Sequence, residues 1–226
     1  TIAYRKMHDY TSEELSGLGI ITLDENNRVI DLQEKPMNPQ TNLGSIGIYM
    51  IRRTLLISLL EECIAHGQYD WVKDILIKKL DVLNIYGYEF SGYWRNISTV
   101  QSYYKCSMDM LNPDIRKELF ISGGKIYTKV KDEAPAKYNE EAQVTNSIVA
   151  DGCFIEGVVE NSVLFRGVTV AKGAVVRNCI VMQASAIGEG ASVEYVIIDK
   201  NVVMTEGKHL KGEADYPIVV SKNSVV

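Results

Sequence analysis

Short apolar runs and helix-like periodic stretches alternate along the first half of the chain. The apolar runs 18–23 and 29–32 flank a polar stretch, 24–27, whose Asp and Asn side chains tolerate tight turns. This pattern predicts a β-hairpin that ends at Pro36, because proline cannot donate to a strand ladder. The next run, 44–51, is apolar on both faces and predicts a central strand.

Three helices are predicted to follow. Apolar residues recur at spacings of three and four over 55–64, and Asp70 is placed to cap a second helix over 71–80. Strand-like residues 82–90 lead to a third helix over 99–110, which an Asn-Pro pair ends. Alternating strands and helices favour an α/β region, with too few strands for a complete doubly wound domain.

From about residue 143 the pattern changes to a repeat of six. An aliphatic residue is followed four places later by a small or aliphatic one in units that begin at Val149, Ile155, Leu164, Val170, Val176, Met182, Ile187 and Val193. A longer period lies over the first, because similar triplets begin at Ser147, Ser162, Cys179 and Tyr195, at intervals of 15, 17 and 16. Three edges of six residues would make a coil of about 18 residues, the signature of a parallel β-helix.

Composition narrows the functional classes. The 226 residues are 46% hydrophobic, which is enough for one large or two small domains with buried cores. The net charge is −5 with both signs interspersed, so nucleic acid is not an expected partner. No apolar run approaches the roughly 20 residues of a membrane helix, and no leader opens the chain. We therefore expect a soluble, cytoplasmic protein without a membrane partner.

The cysteines and the first residue add two expectations. The four cysteines lie far apart without a Cys-x-x-Cys pair, so buried free thiols are expected instead of a zinc site or disulfides. The chain begins at Thr1 instead of Met, inside a strand-like stretch. This start indicates a fragment of a longer protein.

Four motifs carry a family resemblance. They are Glu-Lys-Pro at 34–36, Gly-Ser-Ile-Gly-Ile-Tyr at 44–49, Tyr-Asp-Trp-Val-Lys-Asp at 69–74 and Gly-Tyr-Trp-Arg-Asn at 92–96. In this order, and followed by six-residue repeats, they resemble glucose-1-phosphate adenylyltransferase, also called ADP-glucose pyrophosphorylase. The resemblance covers essentially the whole chain, but only the later half of the family's nucleotidyltransferase domain plus its C-terminal β-helix.

The resemblance implies an α/β plus β fold in three parts. The first is part of a sugar-phosphate nucleotidyltransferase domain, Rossmann-like, at residues 1–111. An interdomain connection follows at 112–142. The last part, 143–226, is expected to be a left-handed parallel β-helix of hexapeptide repeats.

The resemblance also implies a substrate and a pocket. The family makes ADP-glucose and pyrophosphate from ATP and glucose 1-phosphate with Mg²⁺, and serves bacterial glycogen synthesis. By resemblance, Lys35 pairs with the sugar phosphate and Glu34 accepts hydrogen bonds from sugar hydroxyls. The remaining sugar contacts would be Ser45, Tyr49, Asp70 and Trp94.

Each of these residues has an ordinary structural alternative. Glu-Lys-Pro is common at exposed strand ends, and Asp70 is a natural helix cap. Trp71 and Trp94 could be core aromatics. The ordered set of motifs, and no single residue, favours the pocket.

Asn96 departs from the family pattern. Catalytic members have Asp after Tyr-Trp-Arg, where the carboxylate helps to hold magnesium, and a neutral amide oxygen binds a hard divalent cation more weakly. The resemblance therefore favours a regulatory, allosteric type of subunit, non-catalytic or truncated, in a hetero- or homotetramer with a catalytic homologous subunit. ATP and ADP-glucose would be ligands only if the family's N-terminal nucleotide-binding half, with its Gly-rich loop, is present.

Two other classes remain open. An active nucleotidyltransferase that makes an NDP-sugar would keep Glu34, Lys35 and Ser45. A hexapeptide acyltransferase would share the β-helix but needs a histidine as general base. The three histidines lie outside the clear repeats, at His8, His66 and His209.

Overall fold

The computed structural model describes residues 1–8 and 10–226. The described chain falls into two compact units, Thr1–Trp94 and Arg95–Val226. The division lies inside the motif at 92–96. The domain bounds drawn from the sequence stay a prediction.

The first unit is a five-stranded sheet with helices on it. The strand order is β3-β2-β4-β1-β5, with β5 parallel to β1 and the other pairs antiparallel. The elements are β1 (Ile2–Lys6), α1 (Ser12–Ser16), β2 (Gly19–Leu23), β3 (Val29–Glu34), β4 (Leu43–Tyr49), α2 (Arg53–Ala65), a π-helix (Trp71–Ile77) and β5 (Gly87–Glu89).

The predicted hairpin, central strand and first helix are confirmed as β2, β3, β4 and α2. The predicted cap at Asp70 is confirmed too, because its Oδ1 accepts from the amides of Val72 at 2.9 Å and Lys73 at 2.8 Å. The strand predicted over 82–90 is wrong over most of its length. Only β5 is a strand there, and the preceding backbone contributes single bonds such as Val29 N to Ile85 O at 2.8 Å.

The two faces of this sheet carry different clusters. One face packs against the π-helix through a cluster that includes Ile2, Tyr4 and Leu32, with Tyr49 and Trp71 at its margin. The other face carries Met7, Leu15, Leu18, Ile20 and Ile46, with Tyr10 and Trp94 packed against them. Paired residues of neighbouring antiparallel strands share a face, so the register decides which predicted site residues can meet.

The second unit combines helices with a parallel β-helix. Its helical elements are α3 (Val100–Asp109), α4 (Pro113–Lys117) and a second π-helix (Glu118–Ser122). Its strands are β6 (Lys137–Tyr138), β7 (Gln143–Thr145), β8 (Ile148–Val149), β9 (Phe154–Ile155), β10 (Val158–Glu160), β11 (Val163–Leu164), β12 (Thr169–Val170), β13 (Val175–Arg177), β14 (Ile180–Val181), β15 (Ala186–Ile187), β16 (Ser192–Glu194), β17 (Val196–Ile198), β18 (Val203–Met204), β19 (His209–Lys211) and β20 (Ile218–Val220). The helix predicted over 99–110 is confirmed as α3, which Thr99 caps. Within the described residues, no helix is long and apolar enough to cross a membrane.

The coils stack into three parallel sheets of five strands each. The predicted repeat is confirmed, but the coil length differs from about 18. Val158 pairs with Val175, which pairs with Ser192, so these equivalent positions lie 17 residues apart, and Ile148 pairs with Val163, 15 residues later. The triplet that begins at Tyr195 is offset by one residue from the strand register, because Ile180 pairs with Ile197, 17 positions later. Inward residues such as Val176 and Val181 are fully buried, so the aliphatic column is the hydrophobic core.

Asparagine turns the shortened corner of the coil. Asn146, Asn161 and Asn178 stack at equivalent positions with φ of 42°, 46° and 52°. Asn adopts this left-handed conformation more readily than most residues. Asn146 Nδ2 donates to Asn161 Oδ1 at 2.8 Å, so the first two also bond to each other. The inward residues Val159 and Leu164, on either side of the Asn161 corner, lie five positions apart instead of six, and an edge shortened in this way gives the 17-residue coil.

The buried thiol beside this corner gives the coils a pH dependence. Burial raises the pKa of Cys179 from 9.0 to about 12. The thiol stays protonated in the folded state over a pH range in which it ionises in the unfolded state. Its contribution to the free energy of unfolding is therefore complete below pH 9 and is lost as pH rises from about 9 to 12. We expect the free energy of unfolding to fall in that window by about 1.4 kcal/mol per pH unit from this group. Cys179→Val should flatten the dependence in denaturant titrations between pH 8 and 11, and an unchanged slope would contradict this assignment.

Candidate functional site

Three of the predicted substrate residues lie on one face of the first unit's sheet, and a fourth caps the helix that packs against that face. Tyr4 pairs with Ser45 and Ile2 with Tyr49, so Ser45 and Tyr49 lie on the face that packs against the π-helix. Glu34 shares that face, because it lies two residues beyond the buried Leu32 on the same strand. Asp70 caps the π-helix beside them.

The pKa of Tyr49 records this proximity. Burial raises the pKa of the Tyr49 hydroxyl, a hydrogen bond with the Ser45 side chain opposes this, and the negative charges of Glu34 and Asp70 raise it further. Two carboxylates and the Ser45 hydroxyl therefore lie within interaction range of the Tyr49 hydroxyl. Such a set offers both acceptors and donors to a polyhydroxylated ligand.

Gly19 makes room for this arrangement. It pairs with Glu34 across β2 and β3. A Cβ at Gly19 would lie 3.2 Å from Glu34 Oε2 and 3.6 Å from Ser45 Cβ, so a side chain there would press on the carboxylate. Sequence reasoning missed this residue, although a glycine opening a strand is a signal of close approach.

Lys35 adopts a left-handed backbone conformation at the end of β3. Its φ is 51°, and its amide donates to Leu18 O at 3.1 Å. A non-glycine residue in this region costs about 1–2 kcal/mol, and such residues cluster at functional sites. The side chain is exposed, which leaves its ammonium accessible to an anion.

Trp71 adds a buried donor beside Tyr49. The two rings meet edge to face with centroids 6.0 Å apart. Trp71 Nε1 is buried and has no hydrogen-bond partner among the described residues. Both rings also border a cavity of about 80 Å³, lined further by Met50, Leu55 and Leu76. The sequence motif contained Trp71, but its periodic setting favoured a core role.

The structure does not bring Trp94 to this group. Trp94 packs on the opposite face of the sheet with Ile46 and stacks on Tyr10, with centroids 6.4 Å apart. Asn96 belongs to the second unit, where its Nδ2 donates to Ser98 Oγ at 3.5 Å. The structure therefore brings Glu34, Ser45, Tyr49 and Asp70 close together, with Lys35 next to Glu34 in sequence; their role as substrate contacts stays a prediction.

Comparisons with known proteins agree with this two-part architecture. A family model described as nucleotidyl transferase matches residues 6–113. A model described as GlmU-like, C-terminal hexapeptide matches residues 132–215. The glucose-1-phosphate adenylyltransferase of Fervidobacterium nodosum is 35% identical over 196 residues, which are 86% of this chain and 47% of that protein. The one from Bacillus mycoides is 34% identical over 211 residues, 92% of this chain and 56% of that protein.

The chain is similar to glucose-1-phosphate adenylyltransferases over most of its own length. It spans about half the length of the curated relatives it matches.

Among the described residues, the structure groups no set of ligands for the metal expected in glucose-1-phosphate adenylyltransferases. Across residues 1–8 and 10–226, no three His, Cys, Asp or Glu side chains are grouped as a metal site. Asn96 supplies an amide where the family resemblance leads one to expect a carboxylate, and Mg²⁺ prefers carboxylates and water. We therefore assign no chemical step to a metal held by these residues.

Proposed function

We propose that this chain is part of a regulatory-type subunit of glucose-1-phosphate adenylyltransferase, which binds glucose 1-phosphate and acts with a catalytic homologous subunit. The reaction of the assembly would join ATP and glucose 1-phosphate into ADP-glucose and pyrophosphate for glycogen synthesis in the cytoplasm. The observation that carries the proposal is the grouping of Glu34, Ser45 and Tyr49 on one sheet face, with the Asp70 carboxylate of the helix cap acting on Tyr49.

The residues of this group suit a sugar phosphate. Glu34 accepts from sugar hydroxyls, and the hydroxyls of Ser45 and Tyr49 both donate and accept. The exposed ammonium of Lys35 supplies the charge that a phosphate needs, at the strand end next to Glu34. Asp70 Oδ1 is engaged in the helix cap, so this carboxylate contributes through its charge and its second oxygen.

Asn96 supports the regulatory type over the active one. A neutral amide in place of a carboxylate weakens metal binding far more than it weakens sugar binding. The subunit would then keep a ligand pocket while a catalytic partner performs the transfer. The alternative is an active nucleotidyltransferase, and the presence of Glu34, Lys35 and Ser45 favours it.

Asn96→Asp tests this choice. In a protein that carries this chain together with a nucleotide-binding half, the substitution should raise pyrophosphate release at saturating Mg²⁺ by about tenfold or more, because a carboxylate returns to the metal position. Asn112→Asp, another amide-to-carboxylate change in the second unit, is the matched control and should leave the rate unchanged. Equal rates for the parent and Asn96→Asp would remove Asn96 from the explanation.

A further inference from the structure

Asn96 lies in a short segment that runs along α3. This connecting segment, residues 95–99, joins the first unit to the helix. Its first residue bonds to the far end of the helix, because Arg95 Nε donates to Asp109 Oδ2 at 3.1 Å. Its last residue caps the near end. A helix of ten residues spans about 15 Å, so the segment is held at two distant points.

The near end is fixed by reciprocal hydrogen bonds. Ser102 N donates to Thr99 Oγ1 at 3.0 Å, and Thr99 N donates to Ser102 Oγ at 2.9 Å. Ser98 N donates to the same Ser102 oxygen at 3.0 Å. The amides of Ser98 and Thr99 are both hydrogen-bonded to the first turn of α3.

The far end depends on the ion pair. Asp109 is the last residue of α3, where the helix dipole disfavours a negative charge. The guanidinium of Arg95 offsets that penalty. Both side chains are about one-third exposed or less, which shields the pair partly from solvent.

α3 itself is fixed to the coils. Tyr104 is buried in a cluster with Ile180 and Ile197, which lie on adjacent strands of one coil sheet. Its hydroxyl donates to Asn178 O at 2.7 Å, at the corner where the backbone is left-handed. The helix therefore cannot shift along the coils without breaking a buried hydrogen bond.

We propose that Tyr104 and Asp109 are positioning residues. Through α3, they fix the position of Asn96 relative to the coils of the β-helix. The sugar cluster lies in the other compact unit, and Trp94 is the residue directly before Arg95. The proposal rests on the proposed function in one respect, the importance that it gives to Asn96; the positioning itself lies within the second unit.

Amide hydrogen exchange of the 226-residue chain tests the positioning without any ligand. Asp109→Asn should speed exchange of residues 95–99 by about threefold to fivefold, and Tyr104→Phe by about fivefold to tenfold. Neither substitution should lower the midpoint of coil unfolding by as much as its effect on exchange of residues 95–99 would require if the whole unit were destabilised. Tyr103→Phe, in the same cluster but without a bond to the coil backbone, is the control and should leave exchange of 95–99 unchanged.

A charge swap separates positioning from general loss of packing. Arg95→Asp with Asp109→Arg should restore slow exchange of 95–99, since the pair is remade in reverse. Failure of the swap, or equal acceleration in Tyr103→Phe, would overturn the proposal. A parallel titration with glucose 1-phosphate judges the proposed function separately: absence of binding to the parent chain would refute that function, while the exchange rates would still decide the positioning.

Discussion

Gly157→Ala should destabilise the coils by about 3 kcal/mol or more. A Cβ at Gly157 would lie 2.3 Å from Ala174 O and 2.8 Å from Ala171 O, both on the coil above. Those carbonyls are fixed, because Val158 N donates to Ala174 O at 2.8 Å and Ala174 N donates to Ala171 O at 3.1 Å. The backbone must therefore separate two coils, and the ladder between β10 and β13 would break.

Gly190→Asn is the matched control. Gly190 also lies at a corner, with φ of 64°, but nothing lies within 4 Å of a Cβ there, and Asn tolerates this conformation. Its cost should stay below about 1 kcal/mol. Both tryptophans, Trp71 and Trp94, belong to the first unit, so tryptophan fluorescence follows that unit, and a far-UV circular dichroism transition without a fluorescence change reports the second unit. Equal stability of the two variants would contradict the observed coil spacing.

Lys35→Gln should weaken glucose 1-phosphate binding by about 10- to 100-fold, the range of one charge-assisted hydrogen bond to phosphate. The side chain is exposed, so its loss should leave the fold unchanged. Lys200→Gln removes the same charge from an exposed position in the second unit, whereas the sugar cluster belongs to the first unit. Calorimetric titration of both variants gives the comparison. Equal losses would mean that net charge, and not Lys35, attracts the ligand.

The order of elements was predictable from the sequence because their signals are local. The hairpin depends on a polar turn between two apolar runs, and the cap at Asp70 depends on one side chain and the amides that follow it. The coil repeat was equally clear, because each aliphatic residue must fill the same interior column.

Features that depend on contacts between distant residues could not be predicted from the sequence alone. The 17-residue coil depends on asparagines that accept a left-handed corner, and the hexapeptide pattern alone does not show which edge is shortened. The face on which Trp94 packs depends on an irregular stretch after β5, where no alternation fixes side-chain direction. The role of Gly19 depends on pairing with Glu34, which only the strand register supplies.

Hydrogen exchange with and without glucose 1-phosphate tests the central claim most directly. Binding at the proposed cluster predicts protection of the backbone at 34–35, 45–49 and 69–71, with the coils beyond residue 143 unchanged. The cause would be direct contact with Glu34, Lys35, Ser45, Tyr49 and Asp70. Protection confined to the coils, or no protection at millimolar ligand, would contradict a glucose 1-phosphate site on this sheet.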